Sequence, residues 1–232
     1  MATMTGCVVT VPVPDLETPA PTSVPSSAAP SPSTAPTPAV EPIETVVALV
    51  ARPESLELRD AAGTVVIELD YLDDADAAIA AIEEILDAAP VDEELRGTSH
   101  FPPTTVHRWG VLELWENRFV DRWAFAADEE RTLSQPSFHV VFRGADVGGV
   151  ALSTQHGVSA GSPWAVLEAM PDLQVNPSMC SGPYLDYVEQ ERMRPDGTVY
   201  LGRIGVDFGG SPEDGVVTDV RAPTPIFEDG CA

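Results

Sequence analysis

Gly157-Val158-Ser159-Ala160-Gly161 matches the G-x-S-x-G pattern, in which a sharp strand-to-helix turn presents a serine hydroxyl as a nucleophile. Such a serine needs a histidine to take its proton and an acid to orient that histidine. In an α/β-hydrolase both partners follow the serine, whereas His100, His107, His139 and His156 all precede Ser159 here. The alternating strand-helix units of that fold are also missing. The pattern therefore reads first as a turn between a strand and a helix, with Ser159 as a nucleophile the alternative. Asp70, Asp73, Asp74 and Asp76 lack the D-x-D-x-D-G spacing and closing glutamate of an EF-hand and read as acids at a helix start. Glu213, Asp214 and Asp219 read as a solvated loop. A hydrolase built on paired carboxylates needs two acids facing each other across a cleft, which spacing along the chain does not supply.

The cysteines carry a different chemistry. Met4-Thr5-Gly6-Cys7 resembles the end of a bacterial lipobox, whose cysteine thiol receives a diacylglycerol and becomes the first residue of the mature chain. Gly6 supplies the small residue that this processing needs. Met4 stands where leucine is usual, and a basic and then apolar signal segment is expected upstream of the start given, so residues 1–7 read as the remnant of a signal. Residues 12–42 then hold ten of the 23 prolines among Ala, Ser and Thr, with Asp15, Glu17 and Glu41 as the charges. That composition builds no packed core. Residues 8–42 read as a disordered, semi-extended linker, able to hold a domain at most roughly 100 Å from its anchor at about 3.1 Å per residue. In an oxidising compartment Cys180 and Cys231 are expected to pair. The bridge would close a loop of about 50 residues and contribute on the order of 4 kcal/mol. No CxxC or Cys/His cluster with zinc spacing occurs, and no cofactor is expected.

Residues 43–232 must position whatever chemistry there is, and they suffice for one globular domain. Strand-like runs cover Val46–Ala51, Leu56–Arg59 and Val65–Leu69, with a turn at Asp60-Ala61-Ala62-Gly63. The period then changes: Leu72, Ile79, Ile82, Ile85 and Leu86 share one helical face over Asp73–Ala88, and Pro90 marks the stop. A loop through Phe101-Pro102-Pro103 precedes strands near 105–115, 120–126, 138–143 and 150–155. A short helix is expected from Pro163 to Met170 with Ser162 as its N-cap. Tyr184–Met193 and Val199–Phe208 form a hairpin around Arg194-Pro195-Asp196-Gly197, and Val216–Val220 is a last strand. The expected class is α+β, a largely antiparallel sheet with two helices packed on one face. Residues 46–115 and 139–208 each read as strands, helix, strands, which suggests two weakly related halves.

Trp109, Trp115 and Trp123 place three of the four tryptophans within 15 residues, among Arg108, Arg118, Phe119, Arg122 and Phe125. Read as one strand, His107, Trp109, Val111, Glu113 and Trp115 share a face, and Val106, Leu112 and Leu114 the other. Aromatic core is the plain expectation; any exposed ring would mark a contact surface. All twelve basic residues are arginine, and the net charge of −25 argues against binding nucleic acid. No apolar run reaches the length of a membrane span, so membrane attachment would come from the lipid on Cys7 alone. No glycine-rich phosphate loop follows a strand.

Gly157-Val158-x-x-Gly161-x-x-x-x-Val166-Leu167-x-x-Met170 resembles the strand-turn-helix unit of the beta-lactamase inhibitory protein superfamily and of small outer-membrane assembly lipoproteins, over about 15 residues. With the linker and Cys231, the chain is similar to uncharacterised actinobacterial lipoproteins. Leu72-Asp73-Asp74 stands where a second glycine turn would be expected. The resemblance implies a non-catalytic envelope protein working through contacts, and it assigns no binding residues. The resulting expectation is a lipid-anchored extracytoplasmic domain on the outer face of the cytoplasmic membrane, meeting an envelope protein or wall component. The alternatives are a secreted hydrolase using Ser159 or a carboxylate pair, and a small-ligand binder with a pocket lined by Trp109 or Trp123.

Overall fold

The computed structural model describes residues 43–97, 103–117, 136–176, 181–193 and 199–226. All lie in the second of the two units into which the chain divides, Val40–Ala232. After a 3-10 turn at Ile43–Thr45, Val46–Ala51 (β1), Ser55–Asp60 (β2) and Val65–Asp70 (β3) form an antiparallel meander. The β2–β3 turn is where its residues predict it, with Asp60 Oδ1 accepting from the Ala62 and Thr64 N–H groups at 2.9 and 2.8 Å.

The helix predicted over 73–88 is Ala75–Leu86 (α1). Asp74 caps it by accepting from the Asp76 N–H at 3.1 Å, and Asp87 ends it in the left-handed region at φ 47°. Ala75, Ala78, Ala81 and Ile82 are its buried stripe.

Val91–Leu95 (β4), Thr104–Trp109 (β5), Leu112–Asn117 (β6) and Phe138–Phe142 (β7) follow as antiparallel neighbours. The sequence reads a loop through Phe101-Pro102-Pro103 after the helix and no strand before it, but Val-Asp-Glu-Glu-Leu forms an edge strand whose first four residues are exposed. An edge with one bare side needs no apolar alternation, and acids there discourage pairing with another chain. The run expected as one strand over 105–115 is a hairpin. Trp109 pairs with Leu112 around Gly110-Val111, with Gly110 at φ 65°, the primed-turn geometry that suits glycine. The strand expected at 120–126 lies outside the described residues.

Asp146–Val147 (β8) and Val150–Thr154 (β9) return to the first sheet, where β9 lies parallel to β1. The second helix, α2, is Trp164–Glu168. Its N-cap is Pro163, with no side-chain bond, and the Ser162 hydroxyl instead accepts from the Ser159 N–H at 3.1 Å. Tyr184–Met193 (β10), Val199–Gly210 (β11) and Val217–Ile226 (β12) complete the second sheet. Gly182 is obligatory beside it, since a Cβ there would sit 1.8 Å from the Phe208 carbonyl oxygen.

The architecture is α+β and mainly sheet. The described strands form two sheets where one was expected, ordered β3-β2-β1-β9-β8 and β10-β11-β12-β7-β6-β5-β4. Their inner faces share one cluster with both helices. Leu49, Leu56, Leu58 and Leu152 come from the first sheet, Leu112, Leu114, Phe142 and Phe208 from the second, and Ile82, Trp164 and Leu167 from the helices. A core between two sheets explains why many strands carry apolar residues without clean alternation. No helix among the described residues is long and apolar enough to cross a membrane.

Candidate functional site

Two polar assemblies stand out, one on the second sheet and one where the β1–β2 turn meets β10. On the second sheet a single register row runs Val91, Arg108, Glu113, Val141, Arg221, Asp207 and Tyr184 across all seven strands. Glu113, 4 % exposed, is its hub. It accepts from Arg108 Nε at 3.1 Å, Arg143 Nε at 2.9 Å and Nη2 at 3.2 Å, and Trp115 Nε1 at 2.9 Å. Arg108 also bonds Glu93. Burial pushes the Glu113 carboxyl pKa up, but the bonds from Arg143, Trp115 and Arg108 outweigh it and hold it below the ordinary value. Trp115 stacks on His139 at 5.4 Å. Burial, with Arg221 nearby, lowers the His139 pKa to about 4, so the ring is neutral near pH 7. Asp207 is fully buried, and its oxygens accept from Thr224 Oγ1 at 3.0 Å and the Gly182 N–H at 3.3 Å. Burial raises its pKa against the lowering effect of Arg221. Asp219, expected in a solvated loop, is a buried strand residue bonded by Arg221 Nε at 2.5 Å and Thr218 Oγ1 at 2.9 Å. Because the carboxylates of Glu113, Asp207 and Asp219 are each occupied by protein donors, they are held as structure.

The second assembly lines a cleft. Arg52, Pro53, Glu54 and Ser55 of the β1–β2 turn, with Glu57, Glu68, Asp186, Tyr187 and Val188, enclose a polar cleft of about 210 Å³. Three buried side-chain atoms have no hydrogen-bond partner among the described residues: Arg52 Nε, Asp186 Oδ2 and the Tyr71 hydroxyl. Arg52 and Asp186 line the cleft directly. Tyr71 is not among the lining residues; the Arg52 backbone acts on its hydroxyl, while the Arg52 N–H donates to the Ser55 carbonyl at 3.0 Å. Burial pushes the Tyr71 hydroxyl pKa far up, leaving it a neutral donor. An unpaired buried polar group costs about 1–3 kcal/mol. Two of the three, Arg52 Nε and Asp186 Oδ2, belong to residues that line the cleft.

Asp186 ties the cleft to the strand-turn segment singled out in the sequence. Its Oδ1 accepts from Gln155 Nε2 at 2.6 Å and lies 2.8 Å from His156 Nε2. Its backbone is left-handed, φ 47°, at the irregularity in the β10–β11 register. A non-glycine residue kept in that region is costly and tends to occur where a side chain must be aimed. Glu57 is braced by Arg59 Nε at 2.8 Å and Arg52 at 3.7 Å, and the Ser55 hydroxyl donates to Glu68 at 2.8 Å. The cleft therefore offers fixed carboxylates, one guanidinium and an aromatic ring.

No family model, curated protein or solved structure matches this chain. Its reading rests on its own residues.

Of the residues singled out in the sequence, Ser159 is half-buried. Its hydroxyl lies 3.4 Å from that of Ser162, while His156 three residues earlier is turned to Asp186. Trp109, 5 % exposed, belongs to the core, and its Nε1 donates to the Ala88 carbonyl at 2.8 Å at the end of α1. Trp115 is half-buried on the opposite face. Asp70 and Asp74 accept from backbone N–H groups at 2.8 and 3.1 Å. Among the described residues no group of His, Cys, Asp and Glu is placed to hold a metal. Cys7, Cys180, Cys231 and Trp123 lie outside the described residues. Arg52 and Asp186 carried no signal in the sequence, because the cleft joins positions more than a hundred residues apart.

Proposed function

We propose that this chain is a lipid-anchored extracytoplasmic binding protein, attached through Cys7 and spaced from the membrane by residues 8–42, whose domain takes a ligand in the Arg52–Asp186 cleft. One observation carries the binding role: Arg52 Nε and Asp186 Oδ2, buried atoms without a hydrogen-bond partner, belong to residues that line one cleft. Elsewhere the carboxylates Glu113, Asp207 and Asp219 are matched. A non-catalytic role is supported by Ser159, whose hydroxyl pairs with Ser162 while His156 is engaged by Asp186. A Cys180–Cys231 bridge and the kinship of the halves 46–115 and 139–208 belong to the same proposal.

The test has two arms. Intact mass of protein from native membranes should give a chain beginning at diacylglyceryl Cys7, two mass units lighter if the bridge forms; an unlipidated chain would remove the anchor. Full-length chain with Cys7→Ser should cosediment with envelope fragments, and Asp186→Asn should lose that association. Equal sedimentation of both chains would remove the cleft from the proposal.

A further inference from the structure

We infer that the occupant of the cleft is a sugar residue, a neutral ring bearing several hydroxyls; this rests on reading the cleft as a binding site. The charges narrow the choice first. Glu54, Glu57, Glu68 and Asp186 line the same small space, so a phosphate or carboxylate ligand would meet several like charges at close range. A simple cation suits the acids but gives Arg52 Nε nothing to donate to. The unpartnered pair is one donor, Arg52 Nε, and one acceptor, Asp186 Oδ2. A hydroxyl both accepts and donates, and adjacent hydroxyls on one ring serve both partners without importing charge.

Size and shape agree. A cleft of about 210 Å³ is below the roughly 300–1,000 Å³ of pockets for drug-sized molecules and admits one ring-sized group. Tyr187 at its wall is 46 % exposed. Its ring is held by the edge of Tyr184 at 5.8 Å and by the Arg203 guanidinium 5.6 Å from its centroid. A fixed, partly bare aromatic ring offers a flat apolar surface for the C–H face of a sugar. Arg52 Nε and Asp186 Oδ2 are both buried, and side-chain rotation at Arg52, which keeps 28 % exposure, would bring them to a hydroxyl in the cleft.

The experiment is a titration of the purified full-length chain with glucose, galactose, arabinose and N-acetylglucosamine, followed by amide NMR, with glycine and lysine as zwitterionic and cationic comparators. At least one sugar should give saturable shifts confined to Arg52–Ser55 and Asp186–Val188. In Asp186→Asn the amide oxygen stays with Gln155 and His156, so a donor replaces the free acceptor, while asparagine tolerates the left-handed backbone. That variant and Arg52→Lys, which removes Nε, should each weaken binding about tenfold or more. Glu84→Gln, on α1 and outside the cleft lining, should bind as the unaltered chain does. Absence of shifts with all four sugars, tighter binding of glycine or lysine at the same amides, or sugar shifts that survive Asp186→Asn would each overturn the inference. Envelope sedimentation that remains sensitive to Asp186→Asn while every sugar fails would overturn the ligand class and leave the binding site standing.

Discussion

The Glu113 network and the Arg52–Asp186 cleft contain the same kinds of residue and differ in completion. Glu113 is almost wholly buried and gathers two arginines and an indole. The Asp186 side chain, 12 % exposed, has one oxygen without a partner, and Arg52 at the same cleft has its Nε without one. A fold selected only for stability would fill or remove such atoms, because each costs free energy on every folding event. Polar groups that satisfy one another hold the sheet, whereas those without a partner beside a cleft add nothing to it. The distinction predicts opposite responses to substitution.

The largest effect is expected at the network. Glu113→Ala strips the acceptor from Arg108, Arg143 and Trp115 and should cost roughly 2–4 kcal/mol, less than for a fully buried pair because Arg143 keeps 49 % exposure. Urea unfolding would read it as a lowered midpoint at unchanged slope. Trp109→Phe keeps most of the buried ring but removes the bond to Ala88; about 1–2 kcal/mol should be lost in the same assay. A loss below a few tenths would mean that the indole N–H does not tie β5 to α1.

Acid should act on the network. Glu113 has a lowered folded-state pKa, so its stabilisation is present above its ordinary value of 4.5 and lost as pH falls through the lower folded value. His139 falls from 6.5 to about 4 on folding, so the unfolded chain takes up its proton first and stability drops between those values. His139→Phe, which can still stack on Trp115, should flatten the stability curve between pH 6.5 and 4. A curve unchanged by that substitution would show that His139 is not buried neutral.

The same contrast separates what was legible in the sequence from what was not. β1 and α1 announce themselves, because Val46–Ala51 is an unbroken apolar run rich in valine and Ile79, Ile82, Ile85 and Leu86 repeat at helical spacing. Gly110 was the missed cue. Reading through it as one strand puts Trp109 and Trp115 on one face, while the two-residue turn sends Trp109 into the core and Trp115 to the other side. β4 was hidden because an acidic edge strand carries no apolar period. The cleft had no local signature at all: Arg52 and Asp186 acquire meaning only once two sheets bring them together, and an unpaired atom is a property of the folded state.

Denaturant unfolding of Glu113→Ala and Asp186→Asn, side by side, separates the two regions. A loss of roughly 2–4 kcal/mol is expected for the first and under about 1 kcal/mol for the second, since the Asn oxygen keeps the Gln155 and His156 contacts and Oδ2 has no partner to lose. Equal losses would contradict that difference, showing that the cleft is as structural as the network.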